Sequence, residues 1–428
     1  MTTIQFIATF LFAIAVLHTF FTNQFLRLSH RFDKDHFLHG FFHLLGEIEV
    51  VFGFWAAVLL TTWYFIDGSA AVIQYQQGLN FTEPLFVFCI MVICASRPIL
   101  YVGRMLIFMI SQFVQKILPI QAVYADYFVL MVVGPLLGSF ITEPAAMTIV
   151  ALLLNSMLKE KNDRVLYLLM AVLFVNISIG GALTTFAAPP ILMVASKWNW
   201  DNAFVFGHFG WKAFIGAVLN ALFVIAVLRQ QLKNHLISLT QVNERLSSGQ
   251  GHIPLFVVLS HLLVLVLVVL NAHYSQIFMG LFMMFLGLTT ATKRFQDTLR
   301  IREGLLVAFF LGGIIVFGQH QQWWLTPLLT SLNEFKLFMG ATMLTAITDN
   351  AALTYLGSLV PNLSEASKIA LVEGAIAGGG LTVIANAPNP AGFAILQNQF
   401  KEPFSPVQLL KAATIPTIIV CCCFWLIP

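Results

Sequence analysis

The chain has 428 residues, of which 59% are hydrophobic and only 10% charged, with a mean hydropathy of +0.86. A soluble domain carries about 25% charged residues; with so few charges this chain cannot coat a water-facing surface, and most of it must face lipid or its own core. The net charge of +3 forms no polybasic patch for a nucleic acid, and the five cysteines (Cys89, Cys94, Cys421, Cys422, Cys423) lie in apolar runs that imply no disulfide framework.

Apolar stretches of about 20 residues can cross a ~30 Å hydrocarbon layer as helices. They predict spans at roughly 3–22, 40–66, 84–102, 166–195, 204–228, 253–271, 274–292, 304–319, 366–395 and 406–427. The first has neither a basic n-region nor a small-residue cleavage site and reads as a retained helix. The second holds Glu47 and Glu49, which point about 200° apart on a helix, so they cannot both face one cavity; either is a candidate proton relay. His39, His43 and Glu47 recur every four residues, a spacing that suits a metal as well as a polar stripe at the membrane interface. Arg97 closes the third span, where it snorkels or pairs with an acid, and Gly103–Gln121, with Arg104 and Lys116, fits a helix lying along the interface.

Two further apolar segments, about 125–158 and 324–360, are broken by Gly and Pro and hold an acid near the middle. They read as re-entrant hairpins, a geometry allowed only where irregular backbone is buried in protein or lines a wet cavity. Asp126 falls at the start of the first. The polar stretch 229–252 is the natural linker between a first half, 1–228, and a second, 253–428. With the N-terminus outside, most Lys and Arg fall on the cytoplasmic side, while Lys197, Lys212, Lys336 and Lys368 fall outside, as the positive-inside rule requires.

The halves repeat each other. Residues 141–148 read ITEPAAMT and 347–354 read ITDNAALT; GGALT at 180–184 precedes AAPP, and GGGLT at 378–382 precedes ANAPNP. Five spans and one hairpin per half start the second half from the opposite face, which is the inverted-topology repeat of secondary transporters. The expected fold is therefore an all-α polytopic membrane protein of about ten transmembrane helices plus two re-entrant hairpins.

A carboxylate at the membrane centre costs on the order of 2.5–3.5 kcal/mol, so Glu143 and Asp349 mark a site in use. The breaks at Gly180, Gly181, Gly378, Gly379 and Gly380 free backbone carbonyls to ligate a hard cation, and Thr142, Thr348, Asn350, Asn386 and Asn389 add neutral oxygens. Two carboxylates sharing a partly dry site raise each other's proton affinity, so protons can compete with the cation. Glu373, early in the second broken span, either joins the ion path or pairs structurally. The expected cycle has the two repeats rocking against each other around one site, with no ATP-binding motif and no cofactor.

Paired hairpins with short polar motifs, each followed by a broken helix, resemble the ion transporter superfamily. HLLGEIEVVFGFW (43–55), GSFITEPAAMT and ITDNAALT are most similar to its family of sodium/proton antiporters. The resemblance covers nearly the whole chain and implies a homodimer that exchanges Na⁺ or Li⁺ for H⁺, with the ion held between hairpin tips and broken helices. The superfamily's dicarboxylate symporters carry Ser-Asn-Thr at the tips; Thr-Glu-Pro and Thr-Asp-Asn stand here, and their acids would repel an anion. The expected location is a bacterial inner membrane. The alternatives are a carrier of arsenite or an organic anion and, in another class, a membrane-embedded metal enzyme using His39, His43 and Glu47.

Overall fold

The computed structural model describes residues 2–247 and 253–428. Among them the chain is all-helical, apart from one isolated antiparallel bridge between Leu158 and Leu236. The helices are α1 (Thr3–Ser29), α2 (Phe37–Leu45), α3 (Ile48–Gln77), α4 (Thr82–Cys94), α5 (Arg97–Ile117), α6 (Ala122–Ile141), α7 (Glu143–Met157), α8 (Asp163–Gly180), α9 (Pro189–Trp198), α10 (Asn202–Val205), α11 (Trp211–His235) and α12 (Leu239–Ser247). They continue with α13 (Leu255–Leu270), α14 (Ser275–Ala291), α15 (Ile301–Gly318), α16 (Gln322–Thr330), α17 (Glu334–Thr345), α18 (Asn350–Ser358), α19 (Glu365–Gly378), α20 (Asn389–Leu396) and α21 (Pro406–Leu426).

Among the described residues eight segments are long and apolar enough to cross a membrane, and α4, α7, α13 and α14 are shorter apolar helices. These segments and the ten expected spans do not coincide one for one: the runs at 253–271 and 274–292 form α13 and α14, of 16 and 17 residues, and several other runs contain breaks that hydropathy does not register. The second span is interrupted between Leu45 and Ile48, then runs on to Gln77 past a break at Gly68 (φ 83°), a backbone geometry that glycine adopts without a Cβ penalty. The third span ends at Cys94; Ser96 and Pro98 start α5, with the fixed φ of proline suiting a first turn. The stretch from Gly103 thus belongs to a helix that already begins at Arg97. Position 229 is still inside α11, and α12 follows almost at once, so the expected linker is helical as far as Ser247; residues 248–252 lie outside the described residues.

Two helix pairs occupy the places of the expected hairpins. α6 and α7 pack side by side and meet at Thr142. α17 and α18 meet at residues 346–349. The second pair starts later than expected: α16 is a separate helix carrying Pro327, and Asn333 opens α17 by accepting a hydrogen bond from the Lys336 N–H. Each pair is followed by a helix, a non-helical stretch and a short helix: α8, 181–188 and α9 in the first half, α19, 379–388 and α20 in the second.

The packing exchanges partners between halves. α7 lies against α20 and α18 against α9, while α8 touches α19 directly. These helices, with α6, α11, α17 and α21, form a core bundle; α1, α3, α4 and α13–α15 pack on one another as a frame. Both bundles draw on both halves, so the sequence halves are not two separate compact bodies.

Candidate functional site

The site lies where the two helix pairs turn, beside the two non-helical stretches. Thr142 joins α6 to α7 at φ 70°, an uncommon conformation for a β-branched residue that costs on the order of 1–3 kcal/mol and persists only where surroundings enforce it. The turn delivers Glu143 into the protein interior, fully buried. Its Oε2 accepts a hydrogen bond from Asn386 Nδ2 at 2.8 Å, across 243 positions of sequence and from the opposite half. Its Oε1 is buried without a hydrogen-bond partner and faces Gly181, where an added Cβ would come within 2.6 Å of it. Glycine at 181 is therefore required by the approach of the carboxylate.

Asp349 caps α18. Its Oδ1 accepts from the backbone N–H groups of Ala351 (2.8 Å) and Ala352 (3.2 Å), which is favourable at the positive end of a helix dipole. The carboxylate remains partly accessible. It borders an apolar cavity of about 220 Å³, and also a smaller one of about 30 Å³ lined by Glu49, Asp349, Asn386 and Pro390. The smaller volume is of the order of one water molecule or one bare ion. Asn386 is the hinge of the arrangement, lining this cavity while donating to Glu143.

Neighbouring polar groups are left unsatisfied. Besides Glu143 Oε1, the amide oxygens of Asn350, Asn386 and Asn389 are buried without hydrogen-bond partners. Each such group costs roughly 1–3 kcal/mol, which a fold tolerates where a ligand meets them. Asn389 Nδ2 donates to the carbonyls of Gly379 (2.8 Å) and Thr382 (2.9 Å), holding the second non-helical stretch in shape. Asn350 stands against Gly379, whose Cβ would come within 2.8 Å of its Nδ2, and its backbone N–H donates to the Ala385 carbonyl.

The candidate residues therefore divide. Glu143, Asp349, Asn350, Asn386 and Asn389 converge with Gly181 and Gly379. The Thr142 hydroxyl is buried next to the Cys94 thiol, and that of Thr348 donates to the Leu344 carbonyl. Gly180, Gly378 and Gly380 give close approach to backbone: to Pro135, Thr342 and Val175 in turn. Of the two acids in the second span, Glu49 reaches the small cavity, while Glu47 precedes α3 and receives Arg302 at 2.5 Å and His43 at 3.5 Å. Glu373 is buried in an ion pair with Lys212 Nζ (3.2 Å), which also donates to the Phe424 carbonyl. Lys212 is thus a buried residue of the first turn of α11. Arg97 opens α5, 3.9 Å from Asp297. His39 contacts the Ser29 carbonyl, and no group of three metal-capable side chains occurs among the described residues, so the His39, His43 and Glu47 alternative gains no geometric support.

The sequence reading missed the residues that fasten the non-helical stretches. Ser139 donates to the Gly180 carbonyl and accepts from the Leu183 N–H; Thr184 donates to the Ser139 carbonyl, and Thr382 to the Ala346 carbonyl. The threonines are the last residues of GGALT and GGGLT, so the repeated motif itself carried that signal.

Several apolar segments of membrane-spanning length, with a buried carboxylate and a partly accessible one where two helix breaks meet, define a multi-pass membrane transporter. Over residues 3–427 the chain matches the family model described as "Putative Na+/H+ antiporter", and it belongs to that family of cation/proton transporters. None of the curated proteins matches it.

Proposed function

We propose that the protein exchanges Na⁺ (or Li⁺) for H⁺ across a bacterial inner membrane by alternating access, at one site formed by Glu143, Asp349, Asn350, Asn386 and Asn389. The observation that carries the reading is the link from Glu143 through Asn386 to the small cavity bordered by Asp349 and Glu49, surrounded by buried oxygens that lack hydrogen-bond donors. Carboxylate and amide oxygens are the donor set of a hard cation, and the same carboxylates accept protons when the cation leaves. Glu49 is the proton relay on this reading, and the Glu47–Arg302 pair is structural.

The matched succession of helix pair, helix, break and short helix, with partners exchanged between halves, supports an inverted-topology repeat whose helix pairs are re-entrant hairpins. A homodimer is part of the proposal through the family alone.

Everted vesicles reporting ΔpH with a dye test this. Adding Na⁺ or Li⁺ should dequench the dye for the wild type, and Asp349→Asn and Glu143→Gln should abolish the response while inserting normally. No response of the wild type to any alkali cation overturns cation/proton exchange. A cation response retained in Glu143→Gln removes the Glu143 charge from the site, and arsenite uptake without any cation response favours a neutral solute such as arsenous acid.

A further inference from the structure

We propose that the protein binds small lipophilic primary ammonium ions at Asp349, with the charged head at the ion site and the hydrocarbon body in the adjoining apolar cavity. The proposal rests on the reading of Asp349 as a site carboxylate and adds a second class of ligand to it. The cavity, about 220 Å³, lies between α1, α3, α16 and α18 and is walled by Phe12, Val16, Phe52 and Leu325. Asp349 is the one charged residue of its lining. The other polar side chains there have their donors engaged. Thr19 Oγ1 donates to the Val16 carbonyl at 2.7 Å, Thr348 Oγ1 to the Leu344 carbonyl at 2.9 Å, and Trp324 Nε1 to Gln321 Oε1 at 3.0 Å. Walls of this kind do not replace the oxygen shell that a hard cation needs. They suit hydrocarbon: an apolar cavity of about 150 Å³ holds a benzene ring.

The inner end is built differently. The small cavity of about 30 Å³ shares Ile48, Phe310, Asp349 and Ile384 with the large one, so the two adjoin at the carboxylate. Glu49 and Asn386 also line the small cavity, and Asn386 Oδ1 is buried without a hydrogen-bond partner. Asp349 accepts from the backbone N–H groups of Ala351, Ala352 and Ala387, and no basic side chain pairs with it among the described residues. A carboxylate against an apolar wall is costly unless it is paired. A primary ammonium is a compact charge with three N–H donors, a match for Asp349, Glu49 and Asn386 Oδ1 together.

The large cavity is also open on an apolar side. Leu328, Leu344 and Ile347 line it and are 47%, 47% and 45% exposed, so a cation carrying a hydrocarbon body enters where a hydrated ion does not. An acyl chain of a lipid fits the same walls. The carboxylate at the inner end selects the cation over the chain.

Isothermal titration of purified full-length protein in lipid nanodiscs, with empty nanodiscs subtracted, reads this binding without any transport. Hexylammonium should bind more tightly than hexanol, and affinity should rise about fourfold per methylene from propylammonium to hexylammonium. Asp349→Asn should weaken hexylammonium binding at least about tenfold. Val16→Phe fills the cavity and leaves the carboxylate, and should flatten the dependence on chain length. Hexanol binding as tightly as hexylammonium identifies an acyl-chain cavity and overturns the proposal. So does an affinity independent of chain length, or one unchanged in Asp349→Asn. If Asp349→Asn fails to insert, Val16→Phe decides, and an unchanged dependence on chain length overturns the proposal. A protein that binds hexylammonium in this way but exchanges no alkali cation for protons sinks the exchange reading alone; exchange without hexylammonium binding sinks this proposal alone.

Discussion

Asn386 is one of the site residues on which the two halves disagree. Aligning GGALT with GGGLT puts Ala188 at the equivalent place in the first half, so only one copy sends an amide across to the other half's carboxylate. The repeated backbone thus holds an asymmetric site. Removing that amide leaves Glu143 with both oxygens buried and unpaired, since Asn386 is its hydrogen-bond partner and Oε1 has none. Asn386→Ala should cost about 1–3 kcal/mol of stability and raise the apparent KM for the cation, read by thermal unfolding and by the vesicle assay. Unchanged values for both would remove Asn386 from the site. The acids themselves were legible in the sequence because each stands in a motif that occurs twice. The pairing of Asn386 with Glu143 was not, because nothing in a linear sequence marks a contact between residues 243 positions apart.

At the level of elements, helix identity was legible where an apolar run ends at Gly, Pro or a polar cap, as at Gly180 and Gly378. It was obscured where the run continues through the break. At Ala95–Ser96 the signal is brief: Ser96, Arg97 and Pro98 mark the break, but the apolar run resumes at once and reads as one span. Glu373 on α19 and Lys212 on α11 illustrate the same limit: Glu373 read as part of the ion path or as half of a structural pair with no partner named, Lys212 as an outer charge, and together they are a buried pair joining the two halves. Breaking a buried pair from one side strands the other charge, at about 3–5 kcal/mol, whereas replacing both members by apolar residues is often neutral. Lys212→Met alone should therefore abolish stable expression or lower Tm sharply, and Lys212→Met with Glu373→Leu should recover most of it. If the double variant transports at the wild-type rate, Glu373 is structural; if it is stable and inactive, Glu373 belongs to the proton path.

Across the whole molecule, the distribution of Lys and Arg predicts which ends face the cytoplasm. Lys161→Cys should be modified by a membrane-impermeant maleimide only from the cytoplasmic side and Lys197→Cys only from outside, in a background lacking the exposed Cys422; the reverse pattern inverts the orientation. The charge pattern makes the orientation readable from sequence, but it does not tell which helices travel together. That follows from the seam between α8 and α19. A Cβ on Gly380 would overlap the Val175 backbone, and Ser178 donates to the Ile376 carbonyl at 2.7 Å. Main chain comes up against main chain at Gly380, and the Ser178 hydroxyl bridges the two helices beside it. The two breaks thus meet at one tight joint, which, on the proposed alternating-access reading, a rocking of one half past the other would have to open. On that reading the two breaks travel together as one block, and the boundary that slides lies elsewhere than at this seam.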